Sequence, residues 1–153
     1  MPKIFFSKKQ FRDLLLLVTI GTYIKEAIDE KDGKDLKESR EIADYLYKYA
    51  KEFGVEDLVE NFKGSLICSE KLANLAHEYF IEEYNNDQFW HELETRLAHR
   101  DYEKYATVEE KEEVKKNDGF LFGVIDKYIK KYEDEFIEDG IKRLIIDDNK
   151  DKK

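Results

Sequence analysis

One cysteine in 153 residues, Cys68, excludes an internal disulfide and any metal site built from a cysteine cluster. It lies between Leu66–Ile67 and a predicted helix start, a setting that suits a buried, inert thiol better than a nucleophile. With no disulfide to keep oxidised, a reducing, cytoplasmic setting is expected. Proline occurs once, at position 2, and glycine seven times, so little interrupts helix formation. The longest apolar run, Leu14–Ile24, has 11 residues against the roughly 20 that a bilayer requires. Asp13 ahead of it and the lack of a small-x-small cleavage pattern beyond it favour a buried helix over a secretory signal.

Basic residues are outnumbered by acidic ones, 27 to 36. The formal net charge of −9 argues against binding nucleic acid or anionic membranes, both of which call for a positive field. Such a surplus generally keeps a chain soluble and leaves room for a basic protein as partner.

What the chain has in quantity points to a folded helical domain. Apolar residues reach 41% and aromatics 14%, and disordered chains lack that aromatic content. The length suits one domain, expected over residues 1–146, with a disordered charged tail over 147–153. The expected class is all-α, a single multi-helix bundle of five to seven helices with the first and last long helices in its core.

Local signals place the helices. Ser7 and Gln10 read as a capping box, with Phe6 and Phe11 at the staple positions on either side. The helix that follows is apolar on nearly every side through Ile20, narrows to Tyr23, Ile24, Ala27 and Ile28, and stops at Asp32-Gly33. A second helix after Asp35 is expected to bury Ile42, Tyr45, Leu46, Tyr49, Ala50 and Phe53, leaving Tyr47 on the opposite face as a candidate contact. Val55–Phe62 reads as a short helix closed by Gly64. Ser69 caps a helix with Leu72, Leu75, Ala76, Tyr79 and Phe80 on its apolar face, and His77, Ile81 and Tyr84 on its flank. Asn85–Asp87 is expected to break it, with Asp87 capping the next helix, where Phe89, Trp90, Leu93, Leu97 and Ala98 face inward. Thr107 and Glu110 form another capping box, ahead of a segment with little to bury. The last long helix is expected over 120–137, with Gly123 admitting a close neighbour. The ends, around 3–6 and 141–147, are strand-like enough to pair as a minor ribbon.

Unusual side chains concentrate between Asn86 and Ala106. This stretch holds the only tryptophan, Trp90, with His91 and His99 and two of only five arginines, Arg96 and Arg100. His91-Glu92 opens an H-E-x-x-H zinc pattern, but position 95 is threonine. His99 lies two turns on, about 12 Å along the axis, too far to share one ion. No metal site or cofactor is therefore expected. No G-x-S-x-G elbow and no glycine-rich phosphate loop occurs, and the four serines read as caps or surface residues. Glu92, Arg96 and Arg100 share a helix face. They form either an ion network to an acidic neighbour or an anion site beside Trp90.

Trp90, His91, Arg96, His99, Arg100 and Tyr47 are thus the candidate ligand or interface residues, and no catalytic residue is assigned. The leading expectation is a non-enzymatic cytoplasmic interaction or regulatory module with a protein partner or a second copy of itself, given ten tyrosines, a residue type favoured at interfaces. The alternatives are an acidic decoy for a nucleic-acid-binding protein, and a small-ligand or enzymatic site around Trp90.

Overall fold

The structure, a computed structural model, describes residues 4–145. It is predominantly α-helical with one two-stranded antiparallel sheet. The elements are α1 (Lys8–Lys31), α2 (Lys37–Tyr47), a 3₁₀ turn (Glu56–Leu58), β1 (Val59–Phe62), β2 (Ser65–Cys68), α3 (Glu70–Asn74), a π-helical segment (Leu75–Ile81), α4 (Glu82–Tyr105), α5 (Val108–Lys116) and α6 (Asp126–Asp139). Since α3, the π segment and α4 run on without a break, the described residues form five separate helices. Internal contacts divide the chain into two units, Met1–Asn85 and Asn86–Lys153.

In the first unit α1 starts as its sequence dictates. The Gln10 amide donates to Ser7 Oγ at 3.3 Å and the Ser7 amide donates to Gln10 Oε1 at 2.9 Å, while Phe6 meets Phe11 edge-on. The helix ends at Asp32, and Gly33 takes a positive φ of 70° that glycine tolerates without strain. Phe11, Leu15, Ala43, Tyr47, Ala50, Val55, Leu58 and Leu72 make one core, in which Phe11 stacks on Phe53 at 4.0 Å between ring centroids.

The inner face of α2 differs from the expected one. Ser39, Ala43 and Tyr47 are buried, whereas Ile42 and Tyr45 are more than half exposed. Small residues at 39 and 43 let α2 lie close to α1, and Ser39 Oγ donates to the buried Asp29 carboxylate at 2.7 Å. Asp29 also pairs with Lys25 and Lys34. Hydrogen bonds from Lys25 and Ser39 bring its pKa down to about 2, against the opposing effect of burial. Tyr47 is therefore an inward residue, contrary to its expected outward position. The helix also ends at Tyr47, and the chain turns over 48–54.

Val55–Phe62 does not form the expected helix. After one 3₁₀ turn the chain enters β1, which pairs with β2 in the register Val59↔Cys68 to Phe62↔Ser65. Lys63 and Gly64, with φ of 51° and 87°, are the two positive-φ residues of a tight hairpin turn, and this turn chemistry prevails over helical spacing. The one strand pairing among the described residues is thus here. Residues 4–6 and 141–145 carry no strand, and the remainder of the expected terminal ribbon, like the tail, lies outside the described residues.

Ser69 caps α3 as expected, its hydroxyl accepting from the Leu72 amide. Leu72 and Ala76 are buried, but the next buried position is Ile81, while Leu75, Tyr79 and Phe80 are exposed. The five-residue step from Ala76 to Ile81 is the π segment at work: its wider turn rotates the apolar face by one residue. No break follows at Asn85–Asp87. The backbone stays helical through both asparagines, and Asp87 caps nothing.

In the second unit, Ala98, Ile125, Tyr132 and Phe136 form the core, joined by Trp90, Leu93, Leu97 and Tyr102. Phe89, expected inside, is exposed. The Thr107–Glu110 capping box opens α5, which buries no residue. The last helix starts at Asp126, later than expected. Asp118, Gly119 and Gly123 have positive φ, so residues 117–125 run as turns. Gly123 serves such a turn, and a Cβ there would meet nothing within 4 Å, so it does not admit a close neighbour as expected.

Candidate functional site

The predicted candidates between Asn86 and Ala106 are not brought together. Trp90 packs on Phe136 with ring centroids 5.4 Å apart, as part of the core of the second unit. His91, Arg96 and His99 are exposed. Among the described residues Arg96 pairs with Glu92 alone, at 3.0 Å along the same helix. Arg100 faces a different group, the carboxylate of Asp101.

Asp101 is 3% exposed and anchors a dense network. It accepts from Tyr132 Oη at 2.6 Å, from Lys131 Nζ at 2.8 Å, and from Arg100 at 2.8 and 3.0 Å. Arg100 also donates to Tyr132 Oη at 2.8 Å. Burial on its own raises the Asp101 pKa, but the donors Lys131, Tyr132 and Arg100 outweigh it and hold the carboxyl well below its usual range. Both cations are spent on a single carboxylate. The network ties α4 to α6 and directs both cations at a buried carboxylate of their own unit.

A largely apolar concave feature lies in the first unit, where sequence reading placed only Tyr47. A cavity of about 570 Å³, open to solvent on one side, is lined by α1, α2, β2 and the α3–π run. Its size falls within the range of small-ligand sites, roughly 300–1,000 Å³. Its walls are largely apolar, with Ala43, Ile67, Ala76 and Ile81 among them. Polar groups enter at defined places. Thr19 Oγ1 donates to the Leu15 carbonyl at 2.8 Å, so at its 3.4 Å contact with Tyr47 the phenol is the donor. Burial pushes the Tyr47 pKa up to about 12 and keeps that proton in place. The half-buried Cys68 thiol lies in the same wall, and burial raises its pKa as well.

Towards solvent, His77 joins the cavity to its edge. Its Nε2 lies 3.2 Å from Tyr23 Oη and its Nδ1 lies 3.3 Å from Glu82. Arg40 pairs with Glu26, closing another side. The π segment shapes this region: its widened turn buries Ile81 and leaves His77 half-buried at the cavity, and π-bulges recur at functional sites. Among the described residues, no three His, Cys, Asp or Glu side chains are grouped to hold a metal ion, and no helix is long and apolar enough to cross a membrane.

No short motif announced this cavity, because its lining is drawn from residues spread between Thr19 and Glu82. The one local signal was the clustering of Ser39, Ala43 and Tyr47 at helical spacing, a small–small–aromatic face. Comparison with protein-family models, with curated proteins and with solved structures finds no match for the chain.

Proposed function

We propose that this protein is a non-enzymatic, small-ligand-binding module that works through the cavity between α1, α2, β2 and the π segment. The observation that carries the reading is the cavity itself: some 570 Å³ of space with an apolar wall and a few placed polar groups. This reading keeps the expectation of a binding or regulatory role and moves the ligand site away from Trp90 and the two arginines. The acidic-decoy alternative has less behind it, because carboxylates such as Asp101, Glu110 and Asp134 are already paired with lysines.

A thermal-shift screen of apolar fragments against the intact protein and a Thr22→Trp variant tests it. Thr22 lines the cavity and is only half-buried, so an indole there fills space without disturbing the core. Ligand at about 100 times its Kd stabilises the native state by about 2.7 kcal/mol. Several fragments are expected to raise the melting temperature of the wild type and to leave Thr22→Trp, itself melting near the wild type, unmoved. Fragments that shift both proteins equally, or none that shifts either, would contradict the reading.

A further inference from the structure

From the charge and hydrogen-bonding balance of this cavity we infer that its ligand is a small organic ammonium ion with an apolar body, a proposal that rests on the cavity being a binding site. The cavity is lined by four carboxylates, those of Glu26, Asp44, Glu78 and Glu82, against the single guanidinium of Arg40. Arg40 is committed to Glu26, and the two ring nitrogens of His77 already face Tyr23 and Glu82. Asp44 and Glu78 are exposed and have no ion-pair or hydrogen-bond partner among the described residues. The charge left to meet a ligand is therefore negative.

The buried polar atoms carry the same sign of preference. Tyr47 spends its proton on Thr19, and Thr19 spends its own on the Leu15 carbonyl. Tyr47 is 6% exposed, and its phenol oxygen has Thr19 and the Cys68 thiol beside it but no side-chain N–H. A ligand that brings N–H donors satisfies such an acceptor; a carboxylate or phosphate meets it with lone pair against lone pair. The Tyr23 ring at the edge adds an electron-rich face of the kind that attracts ammonium groups. The apolar wall of Ala43, Ile67, Ala76 and Ile81 takes the hydrocarbon part.

Three probes of one shape separate the class of ligand from the existence of the site: 4-phenylbutylamine, 4-phenylbutanol and 4-phenylbutyrate, measured by isothermal titration calorimetry on the full chain at low and moderate salt. The amine is expected to bind tightest, the alcohol more weakly and the acid weakest, with the advantage of the amine shrinking as salt rises. In the double variant Asp44→Asn/Glu78→Gln the amine is expected to lose roughly five- to tenfold in affinity, in line with partly exposed charge pairs, while the alcohol is unchanged. Equal or tighter binding of the acid, or an amine affinity indifferent to the double variant, overturns the ammonium assignment and leaves the cavity standing. Absence of binding by all three overturns the cavity reading and the assignment together.

Discussion

Phe11→Ala is expected to destabilise the Met1–Asn85 unit by about 3–5 kcal/mol, the usual range for removing a buried aromatic ring. The ring is 2% exposed, stacks on Phe53 with planes 12° apart, and meets Phe6 edge-on, so alanine leaves a void that rigid neighbours cannot close. For a unit of this size each kcal/mol moves the midpoint by roughly 4–8 °C, so the melting temperature should fall by more than about 10 °C. Small domains hold only about 5–15 kcal/mol in total, so this single change consumes a large share of it. Thermal unfolding followed by circular dichroism checks the point. A loss under about 1 kcal/mol would mean that the Phe11 cluster is not the core that holds α1 in place.

Asp101→Asn is the counterpart in the second unit, expected to lower stability by about 2 kcal/mol. Removing one member of a fully buried pair costs about 3–5 kcal/mol, but here Arg100 and Lys131 are more than half exposed and water can solvate them once the carboxylate is gone. The effect also depends on pH in a defined direction. The folded pKa of Asp101 lies below its ordinary value of 3.8, so its contribution is complete above that value and is lost as the pH falls through it towards the folded pKa. The stability gap between wild type and variant, followed by urea unfolding, should be level from about pH 7 to 5 and close below about pH 4. A gap that widens on acidification would contradict the network. Asp29, whose pKa is about 2, adds acid sensitivity of the same sign to the first unit.

Local chemistry with a short reach was legible in the sequence. The Ser7–Gln10 and Thr107–Glu110 boxes and the Ser69 cap each depend on residues three apart, and all three form. What could not be read depends on competition between local and distant terms. The run Val55–Phe62 carries helical spacing, yet the Lys63-Gly64 turn and pairing with Ser65–Cys68 turn it into a strand. Ser39 and Ala43 look too small to mark an inner face, but close approach to α1 rewards small side chains more than it rewards burying Ile42. The π segment shifts the buried position from Tyr79 or Phe80 to Ile81 without any residue that signals it. The concentration of Trp90, Arg96 and Arg100 reflected packing and ion pairing, with Arg100 drawn to a buried aspartate one residue along the chain. Apart from the small–small–aromatic face of Ser39, Ala43 and Tyr47, the cavity had no local signature, because four elements build it.

The measurement that bears most directly on the cavity as the working site is a two-dimensional ¹H–¹⁵N NMR titration of the labelled full chain with 4-phenylbutylamine, repeated with 4-phenylbutanol. The amide signals of Thr19, Ala43, Tyr47, Cys68, Ala76 and Ile81, all cavity residues, are expected to move together and to saturate. Signals from residues 86–145 that stay in place would complete the predicted pattern. A spectrum unmoved by either compound, or shifts centred on Trp90, Arg96 and Arg100, would contradict the account.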